Sequence, residues 1–115
     1  MATTPTARTL AWLKKQGYTA GVVEKWIPQT RQRKDLFGFI DLIAIREGET
    51  VGIQATSTGN MASRVKKIMD SEHMPTWLLA GNKLWVVGWA KRGKAGKRKL
   101  WTASVTKLDE ELRNK

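Results

Sequence analysis

Two apolar runs joined by a short turn constrain this chain most, because the first of them carries a carboxylate. The runs are Phe39-Ile40-Asp41-Leu42-Ile43-Ala44-Ile45 and Val51-Gly52-Ile53-Gln54-Ala55-Thr56, with Arg46-Glu47-Gly48-Glu49-Thr50 between them. They read as adjacent strands of one sheet. The first is apolar on both faces, which predicts a central position rather than an edge. An ionised Asp41 there is costly unless a charge or a metal ion offsets it. Side chains two apart in a strand point the same way. Gly52, Gln54 and Thr56 therefore share one face, and Val51, Ile53 and Ala55 the other, expected under a helix. The polar end of the second strand then converges with Asp41. Oxygen donors of this kind suit Mg²⁺.

Charge supplies the second constraint. Lys and Arg outnumber Asp and Glu by 21 to 10, a net charge of +11. That excess favours a polyanion, with nucleic acid ahead of a membrane surface, because no segment pairs a basic face with a long apolar one. No cysteine is present, so disulfides and thiolate metal sites are excluded. His73 is the only histidine, which argues against imidazole-rich zinc sites and histidine-based nucleases. No apolar stretch approaches the roughly 20 residues that span a bilayer. The segment Met1-Ala2-Thr3-Thr4-Pro5-Thr6 lacks the pattern of a secretory signal, so a cytoplasmic protein is expected. A length of 115 residues fits one domain, 1–115.

Local signals place the elements. Thr4-Pro5 reads as an N-cap and first helical residue, opening a helix that runs to about Gln16 and stops at Gly17. Val22 to Ile27 reads as a strand ended by Pro28, and Gln29 to Phe37 as a basic connection. Strands follow over about 39–46 and 50–56, then a helix over roughly 61–71 in which Met61, Val65, Ile68 and Met69 recur at helical spacing. Pro75 closes that element. Thr76–Ala80 and Leu84–Trp89 read as a hairpin around Gly81-Asn82. Lys91 to Lys99 is a basic loop, followed by a strand over about 100–106 antiparallel to Trp85–Trp89, and a short helix from Leu108. The expected class is α/β, with a mixed central sheet, a helix on each face and an added C-terminal basic β-hairpin.

At this point the chain resembles the PD-(D/E)XK nuclease superfamily. Phe39-Ile40-Asp41-Leu42-Ile43-Ala44 stands where that family opens a strand with Asp, and Gln54-Ala55-Thr56 stands where its acid-any-lysine triplet falls. The order helix, three strands, helix, strand is also similar to its restriction-endonuclease-like core. Lys34-Asp35-Leu36-Phe37-Gly38-Phe39-Ile40-Asp41 and Gln54-Ala55-Thr56-Ser57 resemble segments of the Holliday-junction-resolvase-like and phage-encoded branches, which would place the protein in a host cytoplasm. The resemblance covers about residues 5–80. It implies a Mg²⁺- or Mn²⁺-dependent endonuclease acting on DNA, most of all branched or structured DNA, with a homodimer needed for symmetric cuts. Two residues depart from the pattern. Gln54 replaces the usual acid, and Thr56 replaces the lysine held to position or activate water. Lys66, Lys67 or Arg64 on the next helix are the substitutes, with Lys25 a weaker one. The first helix has no acid, so Glu24 or Asp35 takes the place of the extra carboxylate. The implied metal ligands are Asp41, Gln54, Asp35 and a backbone carbonyl near Ala55. The implied catalytic set is Asp41, Gln54, Thr56, Glu24 and Lys67.

Each of these residues also has a plainer reading. Asp41 capping a turn or pairing with an arginine, Gln54 as a satisfied buried amide, Thr56 as structural, Glu24 paired with a lysine and Asp35 ordering a loop all remain open. His73 reads as a helix-end residue. Trp85, Trp89 and Trp101 read first as cross-strand packing, and Trp12 and Trp26 as core. Arg31, Arg33, Lys34, Arg64, Lys66, Lys91, Arg92, Lys94, Lys97, Arg98 and Lys99 are the expected phosphate contacts. The competing function is a non-catalytic nucleic-acid-binding module on a degenerate nuclease fold. A small RNA-binding or ribosome-associated protein is the third, but it gives no reason for Asp41 amid apolar residues.

Overall fold

The Thr4 hydroxyl accepts the Ala7 amide at 3.1 Å, and Pro5 takes the first helical position, so helix α1 (Pro5–Lys15) begins at a capped, preorganised end. It ends where Gly17 turns the chain at φ 89°. Residues 3–93 and 95–113 are described by the computed structural model, and Lys94 lies outside them. The chain continues through β1 (Thr19–Val22), β2 (Lys25–Ile27), β3 (Gln32–Lys34), β4 (Leu42–Arg46) and β5 (Glu49–Ser57). A 3-10 turn (Thr58–Asn60), α2 (Met61–Met69) and α3 (Met74–Leu79) lead to β6 (Lys83–Arg92), β7 (Leu100–Lys107) and α4 (Leu108–Arg113).

Five strands form a mixed sheet in the order β1-β4-β5-β6-β7, while β2 and β3 pair only with each other. The crossover through α2 and α3 makes β5 and β6 parallel; the other pairings are antiparallel. The mixed α/β class agrees with expectation, and β4 lies inside the sheet between β1 and β5.

Three local readings are corrected. Val22 to Ile27 is two strands, because the amides of Val23 and Glu24 both turn to the Asp41 carbonyl, at 2.8 and 3.2 Å, and break the ladder. The basic connection contains β3, which folds back on β2. The segment expected as a strand over Thr76–Ala80 is helical to Leu79, with Ala80 as the C-cap: Pro75 opens α3 instead of closing α2, and Gly81, at φ 89°, turns the chain beyond it. A six-residue apolar element cannot be assigned to strand or helix by periodicity, and Pro75 near its start decides the matter.

The sheet separates two apolar clusters. Leu13, Tyr18, Leu42, Ala44, Val51, Ile53, Ala55, Trp85, Val87 and Trp89 pack under α1. Phe39, Ile40, Ile68, Met74, Leu84, Val86 and Leu108 pack on the side of α2, α3 and α4. The alternation along β5 thus faces α1 with Val51, Ile53 and Ala55. Gly52 faces Trp77, and a Cβ there would stand 2.7 Å from that ring. The Trp77 indole donates to the Lys83 carbonyl at 2.8 Å, which holds the ring in place. Trp12 packs edge-on against Trp85 and Trp89, at 6.4 Å in each case. The Trp89 indole donates to the Thr9 hydroxyl at 2.9 Å. Trp26 and Trp101 are not core: they are 52% and 47% exposed. Trp26 sits on the detached β2–β3 pair, and Trp101 on the edge strand β7. Among the described residues, no helix is long and apolar enough to cross a membrane.

Candidate metal centre

Asp41 precedes β4 and is fixed by its own backbone. Its amide donates to the Ile53 carbonyl at 2.8 Å, while its carbonyl takes the Val23 and Glu24 amides. The side chain is 2% exposed. Oδ2 accepts the Gln54 amide nitrogen at 2.6 Å and the Ala55 backbone amide at 3.0 Å. Oδ1 has no donor among the described residues, and neither does the buried Oε1 of Gln54 meet one. Two buried acceptors without donors at one point are a costly arrangement that a cation or a proton relieves.

Two further acids reach the same point by different routes. Glu24 arrives where the chain leaves β1. Asp35 arrives through a tight turn, in which Gly38 donates to the Asp35 carbonyl at 3.1 Å and Leu36 to the Ile40 carbonyl at 2.9 Å. Phe37 and Gly38 both take positive φ in that turn. Glu24, Asp35 and Asp41 each offer a carboxylate oxygen within 4.8 Å of the others. Cations guard two of them. Arg33 pairs with Glu24 at 2.8 Å, and Lys67 Nζ with Asp35 Oδ2 at 2.9 Å.

The electrostatics follow from this crowding. Burial pushes the Asp41 carboxyl up, the hydrogen bond with Asp35 and the charges of Asp35 and Glu24 add to it, and the Ala55 amide opposes. The result is a value of about 8. When protonated, Asp41 is the donor in its hydrogen bond with Asp35. Burial also acts to raise Asp35, but hydrogen bonds from Asp41 and Lys67 outweigh it and hold Asp35 below the ordinary carboxyl range. Between the ordinary 3.8 and about 8, the folded protein therefore keeps a proton at Asp41 that the unfolded chain releases. In EDTA, stability will fall as pH rises through that window, because the folded state binds more protons. Asp41→Asn will flatten this slope, as read from thermal unfolding across the range. An unchanged slope in the variant would locate the effect elsewhere.

The acids lie in a cleft of about 780 Å³, whose walls include Arg33, Lys34, Arg64 and Lys67 beside Gln54, Ala55, Thr56, Ser57 and Asn60. Thr4, Pro5 and Thr6, at the start of α1, complete it. The chain matches the family described as competence protein CoiA, nuclease-like domain, over residues 7–91. It belongs to that family. No curated protein and no solved structure matches it. The match supports a nuclease-like fold and does not select the Holliday-junction-resolvase-like branch. All three acids, Gln54, Thr56 and Lys67 fall inside the matched span.

In this CoiA-type nuclease-like domain, the expected residues divide cleanly. Asp41, Gln54, Ala55, Thr56, Glu24, Asp35 and Lys67 all line the cleft, as do Arg33, Lys34 and Arg64. Thr56 is buried. Arg64 and Lys67, three apart on α2, share the cleft face, whereas Lys66 is exposed and lies off it. Lys25, opposite Lys34 in the hairpin register, and Arg31 are also exposed and off the cleft. Lys91, Arg92, Lys97, Arg98 and Lys99 belong to the β6–β7 hairpin. Ser57, at the cleft end of β5, pairs with Trp89, and β6 runs on to Arg92. The hairpin thus projects past the sheet end that holds Asp41. Lys94 of that hairpin lies outside the described residues. His73 precedes α3, exposed, beside Phe37. Sequence reasoning missed Thr4, Thr6, Ser57 and Asn60 as cleft residues. Thr4 had announced itself only as a cap.

Proposed function

We propose that this domain is a metal-dependent endonuclease that hydrolyses DNA phosphodiester bonds, most of all in branched or structured DNA. The observation that carries the reading is the convergence of Glu24, Asp35 and Asp41 at the floor of a basic-walled cleft, with Asp41 Oδ1 lacking a donor. The donors are hard oxygens, a set that fits Mg²⁺ or Mn²⁺ and not a thiolate or imidazole metal. Asp41, Glu24 and Asp35 would hold the ion, with the Gln54 Oε1 and the Ala55 carbonyl in support. An extended residue directs its carbonyl to the same strand edge as its N–H, and the Ala55 N–H points at Asp41. When bound, such an ion polarises a phosphoryl oxygen and makes hydroxide available near neutral pH.

The chain's own residues do the rest. Arg33, Lys34 and Arg64 seat the backbone phosphates, contacts that position without reading sequence. Lys67 takes the role of the missing motif lysine: its Nζ reaches into the acid cluster from α2, while Thr56 offers only a hydroxyl. Lys67 pairs with Asp35 at 2.9 Å; were Asp35 to hold the ion, Lys67 would be left to face the phosphate or its attacking water. Paired cuts across a junction would require two copies of the domain. The second reading, a DNA-binding module without catalysis, draws its support from Thr56 where lysine is expected.

The test is cleavage of labelled four-way junction, duplex and single-stranded DNA with Mg²⁺ or EDTA. The proposal expects cutting with Mg²⁺ alone, fastest on the junction. Tight binding with no metal-dependent cutting of any substrate would overturn it in favour of the binding module.

A further inference from the structure

The hairpin formed by β2 and β3 stands apart from the main sheet and carries one aromatic ring that the core does not use. From Lys25 to Lys34 it holds Lys25, Arg31, Arg33 and Lys34, and no acid. Trp26 is 52% exposed there. The other tryptophans are engaged. Trp12, Trp85 and Trp89 pack together, Trp77 stands 6.5 Å from Phe37, and the Arg8 guanidinium covers Trp101 at 3.6 Å. Among the described residues, no ring and no cation packs on the Trp26 face.

Its position is set by register. Trp26 is directly opposite Arg33, and residues so placed project from the same face of a strand pair. Arg33 lines the cleft and pairs with Glu24, which lies two residues before Trp26 in the chain. Trp26 does not itself line the cleft, but it shares a hairpin face with Arg33, which does, and so lies one residue pair from the acid cluster, among cations. Every nucleobase has an apolar face that stacks on an aromatic ring, and a basic surround holds the phosphates beside it. In a continuous duplex those faces are already stacked on neighbouring base pairs. Only an unpaired or splayed nucleotide can present one.

We propose that Trp26 is a stacking platform for an unpaired nucleotide beside the bond to be cut, so that the domain binds DNA with single-stranded character in preference to continuous duplex. The placement of the cut rests on the nuclease reading; the binding preference does not. The ring contributes affinity through stacking, while Lys25, Arg31 and Lys34 supply charge that single and double strands share.

Binding is therefore measured without metal. Fluorescence anisotropy in EDTA would compare a labelled single strand with a hairpin duplex of the same sequence, for wild type, Trp26→Leu and Trp26→Phe. Leucine keeps apolar bulk and loses the ring; phenylalanine keeps a ring. The exposed site makes both changes compatible with folding, which equal melting temperatures would verify. Trp26→Leu is expected to weaken single-strand binding about tenfold or more, and duplex binding less than about twofold. Trp26→Phe should retain most of the preference. Equal weakening on both DNAs, or no weakening on the single strand, would overturn the proposal. If the preference depends on Trp26 but no DNA is cut in Mg²⁺, the nuclease reading fails alone. If cutting occurs and Trp26→Leu binds single strands as the wild type does, the stacking platform fails alone.

Discussion

Asp41→Asn will lose DNA cleavage by about 10³-fold or more while keeping its fold and its affinity for DNA. Asparagine has the shape of the aspartate and still accepts the Ala55 amide. With its oxygen in the place of Oδ2, it also keeps the Gln54 amide nitrogen as a donor, since that one atom accepts both bonds. What disappears is the charge that a cation needs. The variant should also melt higher than the wild type at pH 8 and above in EDTA, because it removes a buried carboxylate that Asp35 and Glu24 repel. That pairing of lost activity with gained stability separates a chemical role from a structural one. Single-turnover cleavage with protein in excess, alongside anisotropy and thermal melts, measures all three quantities. A variant that cuts within about tenfold of the wild type would remove Asp41 from the chemistry.

Lys67→Ala is the next largest effect expected, a loss of about 10²- to 10³-fold in the cleavage step with DNA affinity changed only severalfold. Lys67 reaches Asp35 at 2.9 Å from the cleft face of α2. Lys66 is its neighbour in sequence, but lies off the cleft, so Lys66→Ala removes the same charge from the protein without touching the acid cluster. The pair tests placement against net charge. Single-turnover rates at saturating protein should separate the two alanine variants by at least tenfold. Equal rates would mean that α2 supplies only general attraction for phosphate.

The parts of this molecule legible in its sequence are those governed by local rules. The Thr4 cap, the Gly17 stop and the alternation along β5 follow from capping and strand geometry, and each concerns neighbours in the chain. Asp41 stood out because a carboxylate among Phe39, Ile40, Leu42 and Ile43 has few inexpensive explanations. Its company was less legible. Glu24 reaches Asp41 because the ladder breaks at Val23, and Asp35 because Phe37 and Gly38 accept positive φ. Both events are tertiary, and neither leaves a periodic mark. The α3 segment was misread because six residues around Trp77 and Leu78 satisfy a strand as well as a short helix. Trp26 was misread for a related reason. A tryptophan between Lys25 and Ile27 looks like a core anchor until β2 is found to pair with β3 outside the main sheet.

Everything proposed for the cleft depends on Glu24, Asp35 and Asp41 holding one divalent ion. Titration of Mn²⁺ into the DNA-free protein at pH 7.5, followed by calorimetry, tests this most directly. One binding site in the wild type, abolished in Asp41→Asn and weakened in Asp35→Asn, is the result expected. Absence of Mn²⁺ binding in the wild type, or unaltered binding in Asp41→Asn, would contradict the account.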